Sequence, residues 1–468
     1  MSIHENKRRF IKLALASAAG LSLYPYGKAR GAGFSADVIV IGAGMSGLAA
    51  AKDLQSKGKK VILLEAQNAI GGRTVTDRSL GVPLDLGASW IHGFEDKPIV
   101  INGKPKLKNI NPIAVLAKSL NLAISPTNYD AIQRYDYDGR EITDTEDNLV
   151  DNNYKTLMAG VSKAQRSAKQ DQSLGVTINS INATKSYTPF EQRAIQYSVN
   201  AEIEHDYAAD VSVMSLKYWD QDSDYAGPDV LITQGYDQIT SYLASGLDIR
   251  LSTRVTEINY AKTTVSVMTS NGTYTAPKVI ITTPLGVLKT GAIKFTPSLP
   301  ASYTTAIGRL GMGLLNKLYL RFPYKFWNNQ EQLLGYIGLE KGRWAEWYDL
   351  QRVTNQPILL GFNAASFAAT AEAYTDQQTV ASAMSVLRTI YGAATPDPLG
   401  YKMTRWGKNS WSFGSYSYVA LGSSPSDCDV FTKSINSRLY FAGEHTNKDY
   451  MGTVHGAYSS GLRASSQI

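Results

Sequence analysis

The stretch 36–65, "ADVIVIGAGMSGLAAAKDLQSKGKKVILLE", constrains the chain more than any other. Ala36–Ile41, apolar except for Asp37, suits a central parallel strand. Gly42, Gly44 and Gly47 then form a GxGxxG turn, a helix with an apolar stripe is predicted to about Lys57, and Lys60–Leu64 reads as a second buried strand. Glu65 closes it, eighteen residues after Gly47. Each glycine has a mechanical role: the tight turn, close approach of backbone to a pyrophosphate, and close packing of helix on strand. The helix start offers free amides and a positive dipole end to phosphate, and the terminal acid accepts hydrogen bonds from a ribose. A lone GxGxxG says little; with strand, turn, helix and acid all in order it reads as a dinucleotide-binding βαβ unit.

With 468 residues the chain has room for two or three domains. Its 43% hydrophobic and 19% charged residues are ordinary for a globular protein. The formal charge of +7 invites a nucleic-acid reading, but residues 1–33 carry Lys7, Arg8, Arg9, Lys12, Lys28 and Arg30 against Glu5, a net of +5, which leaves +2 for the rest. That is too little for an electrostatic footprint, so no nucleic-acid partner is expected. The basic start and the apolar run at 13–23 are too short to span a membrane and resemble an export signal of the twin-arginine type, which predicts a periplasmic or secreted protein. An uncleaved amphipathic extension on a cytoplasmic protein is the other reading. A single cysteine, Cys428, excludes an intrachain disulfide and a cysteine zinc site, and no metal site is read.

Farther along, "SYTPFEQRAIQYSVNAEIEHDYAAD" starts a helix with Thr188 as N-cap, Pro189 at the first position and Glu191 completing a capping box. The stretches around 150–200 and 366–392 read as helices, 246–284 as strands with a turn at Asn271-Gly272, and 438–444 as a last strand before a glycine-rich turn and a helical tail. The strand-like "RLGMGLLNKLYLRF", 309–322, holds Lys317. Burying an unpaired ammonium costs several kcal/mol, so on its own this lysine reads as an edge-strand residue reaching water.

"AIGGRTVTD" follows Glu65, "LDLGASWIHG" spans 84–93, "GSYSYV" spans 414–419 and "LYFAGEHTNKDYMGTVHGAYSSG" spans 439–461. With "LGMGLLNKL" these segments resemble the flavin-containing amine oxidase family, nearest to polyamine and spermine oxidases and to the catalytic domain of lysine-specific histone demethylases. The resemblance runs from about 36 to 466. It implies an α/β fold: a discontinuous Rossmann-like FAD-binding domain (34–125, 228–290, 401–468) with an inserted α+β substrate-binding domain (126–227, 291–400), after the leader at 1–33.

The resemblance also implies roles. Gly42, Gly44, Ser46, Gly47, Glu65 and Ala66 would hold the adenosine and pyrophosphate of FAD. Gly71 and Gly72 would let backbone pass the flavin, and Arg73 would neutralise phosphate. Gly87, Ala88, Ser89, Trp90, Val255, Thr282 and Gly443 would add contacts, with Glu444 as a second ribose- or ribityl-side acid. Thr453 and Val454 would present amides to the pyrimidine edge. Gln67 stands where many relatives carry Arg. Ser415 stands where monoamine oxidases carry the tethering cysteine, so FAD would be noncovalent. Trp406 and Trp411 match pocket tryptophans, with two core indoles as the alternative.

Lys317 matches the lysine that reaches the flavin N5 through a water. Tyr416 matches one wall of an aromatic sandwich for the amine, and Thr453 replaces the opposite tyrosine. His92 matches a histidine that holds an inner amine or accepts a proton through water. Trp90 occupies a slot where L-amino acid oxidases place a carboxylate-binding arginine. Glu202, Glu204 and Asp206, or Asp220, Asp222 and Asp224, would line a negative entrance; solvated acidic loops are the plainer reading. His445 and His455 would brace the turn. The implied reaction oxidises a polyamine of the spermine or spermidine class with dioxygen, giving an aldehyde, a shorter amine and hydrogen peroxide. An L-amino acid oxidase, a protein-lysine demethylase and an FAD-binding scaffold without turnover are the rivals.

Overall fold

The computed structural model describes residues 34–94, 99–101, 104–106, 110–328 and 330–468, of which Ser35–Ile468 form one unit. The leader expected over 1–33 lies outside the described residues. Among those described, no helix is long and apolar enough to cross a membrane.

Val38–Ile41 is the middle strand of a parallel sheet ordered Asp248–Arg250, Val61–Leu64, Val38–Ile41, Lys278–Ile281, Leu439–Phe441. Its inner strands are apolar apart from Lys278 at the start of one, because both faces are covered. Ile39, Ile41, Ile62, Leu64, Val279, Ile281 and Phe441 pack toward a second layer that includes Ile258, Val265, Val267 and Tyr274. Val38, Val40, Val61, Leu63 and Ile280 face the other way, toward the helices Met45–Ser56, Asp237–Ala244 and Val454–Ser466. Alternation along one strand therefore feeds two cores. Three distant stretches of sequence build this one sheet.

The second layer holds the antiparallel strands Val255–Asn259, Val265–Thr269 and Gly272–Ala276, with Lys294–Thr296 added in parallel. Thr269 pairs with Gly272, so the hairpin turn is Ser270-Asn271, one residue before the expected Asn271-Gly272. Gly272, at φ +120°, opens the return strand.

A six-stranded sheet carries the other half: Ile132–Asp136, Leu333–Ile337, Glu346–Asp349, Ile358–Ala364, Leu315–Arg321 and Gly400–Met403, in that spatial order. Leu315–Arg321 is flanked on both sides, so the edge-strand reading of Lys317 fails. The helices Ala365–Glu372 and Asp376–Tyr391 contribute to the core on this sheet. Asp144–Ser167, Leu174–Asn182 and Pro189–Val199 form a separate helical cluster. Thr188, Pro189 and Glu191 cap the last of these as the sequence predicts.

Three of the expected segment breaks fall elsewhere. The break at 125/126 lies inside the strand Ile124–Pro126, and that at 400/401 inside Gly400–Met403. Residues after 290 still belong to the nucleotide-side core, through Ile293, Tyr303, Ala306, Ile307 and Leu310. Buried pairing, which continues past each change of composition, sets these limits.

Candidate active site

One cavity of about 1210 Å³ runs between the two halves of the fold. This exceeds the roughly 300–1,000 Å³ of a typical small-molecule pocket, as an extended dinucleotide with a substrate beside it requires.

Its nucleotide end is built by the glycine turn. Gly42 holds φ +104°, and a Cβ on Gly47 would stand 1.9 Å from Gly42 O. Gly47 therefore sits behind the turn and packs helix on strand rather than lining the cavity. Gly44 differs: a Cβ there would meet only Gly71 O, at 3.9 Å, so its bareness serves the cavity and not the packing. Glu65 accepts from Ala43 N at 2.7 Å and Gln67 N at 2.8 Å, which leaves lone pairs on both oxygens for a ribose. Burial raises its pKa against those amides. Ser46, Ala66, Gln67, Val255 and Thr282 line the same end. Thr282 Oγ1 donates to Ile41 O at 2.7 Å and so buttresses the turn.

Midway, Gly71 (φ +100°) and Gly72 (φ +57°) turn the chain beneath Gly44. Arg73 Nη1 pairs with Glu444 Oε1 at 2.8 Å and reaches Ser415 O at 2.9 Å. Glu444 also accepts from Ser417 Oγ and Gly452 N. Burial pushes its pKa up, but the Arg73 charge, with hydrogen bonds from Arg73 and Ser417, outweighs that and holds it below the ordinary value. Arg73 and Glu444 thus brace each other and the turn that carries Gly443. Thr453 caps the final helix, donating to Tyr450 O and accepting from Gly456 N at 2.9 Å. Val454 begins that helix at the cavity wall.

These groups fit FAD. The bare backbone at Gly44, the ribose-facing acid and the helix start form a dinucleotide cradle. Ser415 Oγ accepts from Leu315 N and carries no thiol, while Cys428 is fully buried away from the cavity wall. No cysteinyl link can form.

Lys317 answers the cost of a buried ammonium with three acceptors. Nζ donates to Gly87 O at 2.5 Å, Ser89 Oγ at 2.5 Å and Asp85 O at 3.1 Å, and lies 5.5 Å from the Trp90 ring centre. Gly87 lets this segment pack against the backbone of Arg73: a Cβ there would lie 1.9 Å from Arg73 O. Burial lowers the lysine and raises Asp85, and each charge offsets part of the other's shift. Ala88 and Trp90 continue the wall, and Trp90 Nε1 donates to Thr127 Oγ1. Trp406, 8% exposed, and Trp411, 37% exposed, both border the cavity, so Trp411 is no core indole.

The far end is acidic. Pro189–Val199 runs into a π-helical turn, Asn200–Glu204, then His205–Tyr207. π-turns recur at functional sites because the extra residue re-aims side chains. Here Glu202 and Asp206 are bare toward the cavity. Burial, then the Glu202 charge, pushes Asp206 up to about 7. Glu204 departs from expectation: it faces away, bonded to Lys341, Val211 N and Asn200, because residues two apart on a helix point to nearly opposite sides. Tyr416 OH donates to His205 O at 2.5 Å, tying the aromatic wall to the acidic turn. Asp220, Asp222 and Asp224 line the cavity as well, with Asp222 held by Tyr207 OH.

His92 Nδ1 lies 2.7 Å from Asp229 Oδ2, with over half of its side chain bare to the cavity. Burial works to lower its pKa, but Asp229, then Asp206 and Asp224, outweigh it and the net shift is upward. His455 stacks edge-on to Tyr225 and Tyr450, and burial takes it down to about 3; His445 is fully buried against Phe431 and falls to about 4. Both stay neutral, as bracing residues should.

Sequence reasoning missed Asp229, Tyr129, Tyr348, Phe362, Glu346 and the role of His205, all on the cavity wall. His205 stood inside a quoted motif, but its partner Glu346, 3.1 Å away, is distant in sequence.

A profile of the flavin containing amine oxidoreductase family matches residues 45–468. Polyamine oxidase 4 of Oryza sativa subsp. japonica is 36% identical over 444 residues, covering 92% of this chain and 88% of that protein. Lysine-specific histone demethylase 2 of Homo sapiens is 34% identical over 454 residues, covering 92% of this chain but 53% of that protein. A solved putrescine oxidase variant, redesigned in cofactor binding, superposes with a TM-score of 0.74 at 18% identity, covering 93% of this chain and 99% of that one. At that identity it shows the fold alone.

Proposed function

This chain belongs to the family of flavin-containing amine oxidoreductases, with FAD as its cofactor, and we propose that it oxidises a polyamine of the spermine or spermidine class to an aldehyde and a shorter amine, reducing dioxygen to hydrogen peroxide. The observation that carries this reading is one cavity with a buried lysine amine at its centre and Glu202, Asp206 and Glu346 at its far end. An acceptor-rich wall suits a ligand that offers N–H donors and positive charge. Of the three arginines that line the cavity, Arg73 and Arg134 are already paired with Glu444 and Asp147, and Arg254 stands beside Val255 at the nucleotide end, away from the acidic turn. Trp90 fills the slot of the L-amino acid oxidase arginine. The polyamine oxidase relatives support the same choice, and the leader supports an exported, periplasmic location.

Bound FAD supplies the two-electron redox chemistry. The protein's part is to bind, orient and dry the amine. Asp206 and Glu202 attract the distal ammonium groups. Tyr416, fixed through His205 O, offers a ring face to the amine and excludes water. His92 takes the proton that must leave the ammonium before its α-carbon can be oxidised. Lys317, with Ser89 beside it, holds a proton-exchanging group at the centre of the cavity.

A peroxide-coupled screen of purified protein tests this, with aldehydes identified by mass spectrometry. Turnover of spermine or spermidine, without turnover of Leu or Phe, is expected. Peroxide from methyl-lysine peptides alone would transfer the assignment to protein demethylation.

A further inference from the structure

Asp229 stands just before the strand Val230–Ile232 and reaches across to the end of Trp90–Ile91, with which that strand pairs. Both of its oxygens are engaged. Oδ2 receives His92 Nδ1 at 2.7 Å and Tyr129 OH at 3.0 Å, and Oδ1 receives Gly93 N at 3.0 Å. The backbone amide fixes the carboxylate relative to the histidine's own chain segment. Asn111 Nδ2 donates to His92 O at 2.6 Å and holds that segment from the other side. A carboxylate can only accept from Nδ1, so the neutral ring is locked as the Nδ1–H tautomer with Nε2 left as a lone pair. His92 borders the cavity, and its side chain is 54% bare there.

We propose that Asp229 is the positioning residue for His92: it sets the tautomer that leaves Nε2 free to take a proton from the substrate ammonium. In that step an ammonium N–H bond breaks and its electron pair stays on the amine nitrogen. The proton passes to Nε2, directly or through one water, and Asp229 stabilises the imidazolium that results. This rests on the amine-oxidation reading above. Among the described residues, the charged and titratable groups that face His92 are Asp229, Tyr129, Asp206 from the acidic turn, Asp224 from the acidic loop and His455 from the last helix. Of these, Asp229 is the one hydrogen-bonded to the ring.

Two arms test it. In protein with ¹⁵N-labelled histidine, the His92 signals, identified by their loss in His92→Gln, should report the Nδ1–H tautomer and a titration above the ordinary histidine value of about 6.5. Asp229→Asn should shift that titration to lower pH and mix the tautomers, while Asp229→Glu, which keeps the charge, should keep the high titration. In kinetics, Asp229→Asn should lower kcat/KM on the best amine by roughly tenfold or more and move the acid limb of its pH profile downward. The same change in a His92→Gln background should alter kcat/KM by less than about twofold, since a positioning residue has no effect without its target. Equal losses in both backgrounds, or an unmoved His92 titration and tautomer in Asp229→Asn, would overturn the proposal while leaving amine oxidation in place. A full-rate His92→Gln enzyme would overturn it too. Failure of every amine to react would sink the functional reading alone, because the NMR arm reads the pairing without substrate.

Discussion

Asp206→Asn is the sharpest probe of the acidic end, because it should make the enzyme worse and the fold firmer. Asp206 is bare to the cavity yet deep in the protein, and burial with the Glu202 charge pushes its carboxyl up to about 7. A hydrogen-bonded contact between this carboxylate and a substrate ammonium is worth ~2–3 kcal/mol, below the ceiling of about 4 kcal/mol for unit charges 4 Å apart at an effective dielectric of 20. At about 1.4 kcal/mol per decade, the loss in kcat/KM is about 30- to 150-fold. The Asp206 carboxyl, protonated below about pH 7, and the His92 imidazole, protonated on the acid side of its own raised value, both lower kcat/KM as pH drops, so the wild-type acid limb should be steeper than tenfold per pH unit; the variant should keep only the His92 limb, at about tenfold per unit. Stability runs the other way. The folded state holds the Asp206 proton more tightly than the unfolded chain, so wild-type stability falls as pH rises from about 4 to 7 and stays lower above. After a discount for cavity water, removing the charge should return about 1 kcal/mol, a rise of roughly 1 °C in Tm for a chain this long, at pH 8 but not at pH 4. The assay is a peroxide-coupled rate against pH on a triamine and on a simple monoamine, with a melting scan beside it. If both amines lose rate equally, or if the acid limb is as steep in the variant as in the wild type, Asp206 is not the distal cation site.

Glu202 and Glu204 should separate although they are two residues apart. Glu202→Gln should raise KM for a polyamine by roughly tenfold at unchanged Tm, whereas Glu204→Gln, losing the Lys341 pair, should cost about 1–3 kcal/mol of stability and leave KM alone; steady-state kinetics and melting on both variants check this. Lys317→Met should yield yellow protein whose kcat is lowered by about 10²-fold, since the apolar side chain fills the space but takes the donor from Gly87 O and Ser89 Oγ, while Asp85 O keeps Tyr319 OH. Absorbance and rate, measured together, read out both halves.

The nucleotide end was legible because local rules coincide there: a buried strand, an obligatory glycine turn and a helix start occupy thirty consecutive residues. The capping box at Thr188 was legible for the same reason. What stayed hidden is what the tertiary fold decides. Glu202, Glu204 and Asp206 look alike in a row; helical spacing sets Glu204 opposite the other two, but only the tertiary fold decides that its side meets Lys341 and theirs the cavity. Asp229 lies 137 positions from His92 in a stretch with no motif, and Glu346 lies 141 from His205. The break after 400 was misplaced because Gly400–Met403 reads as a strand of either half until its partner, Leu315–Arg321, is known.

The parallel sheet takes its last strand from Leu439–Phe441, and the helix Val454–Ser466 lies across Met45–Ser56, with Ser460 Oγ 3.2 Å from Ser46 Oγ. During synthesis, then, the first-made glycine turn waits for the far end of the polypeptide before it has a floor. The cradle for the nucleotide is complete only once the C-terminal strand and helix have joined the first βαβ unit.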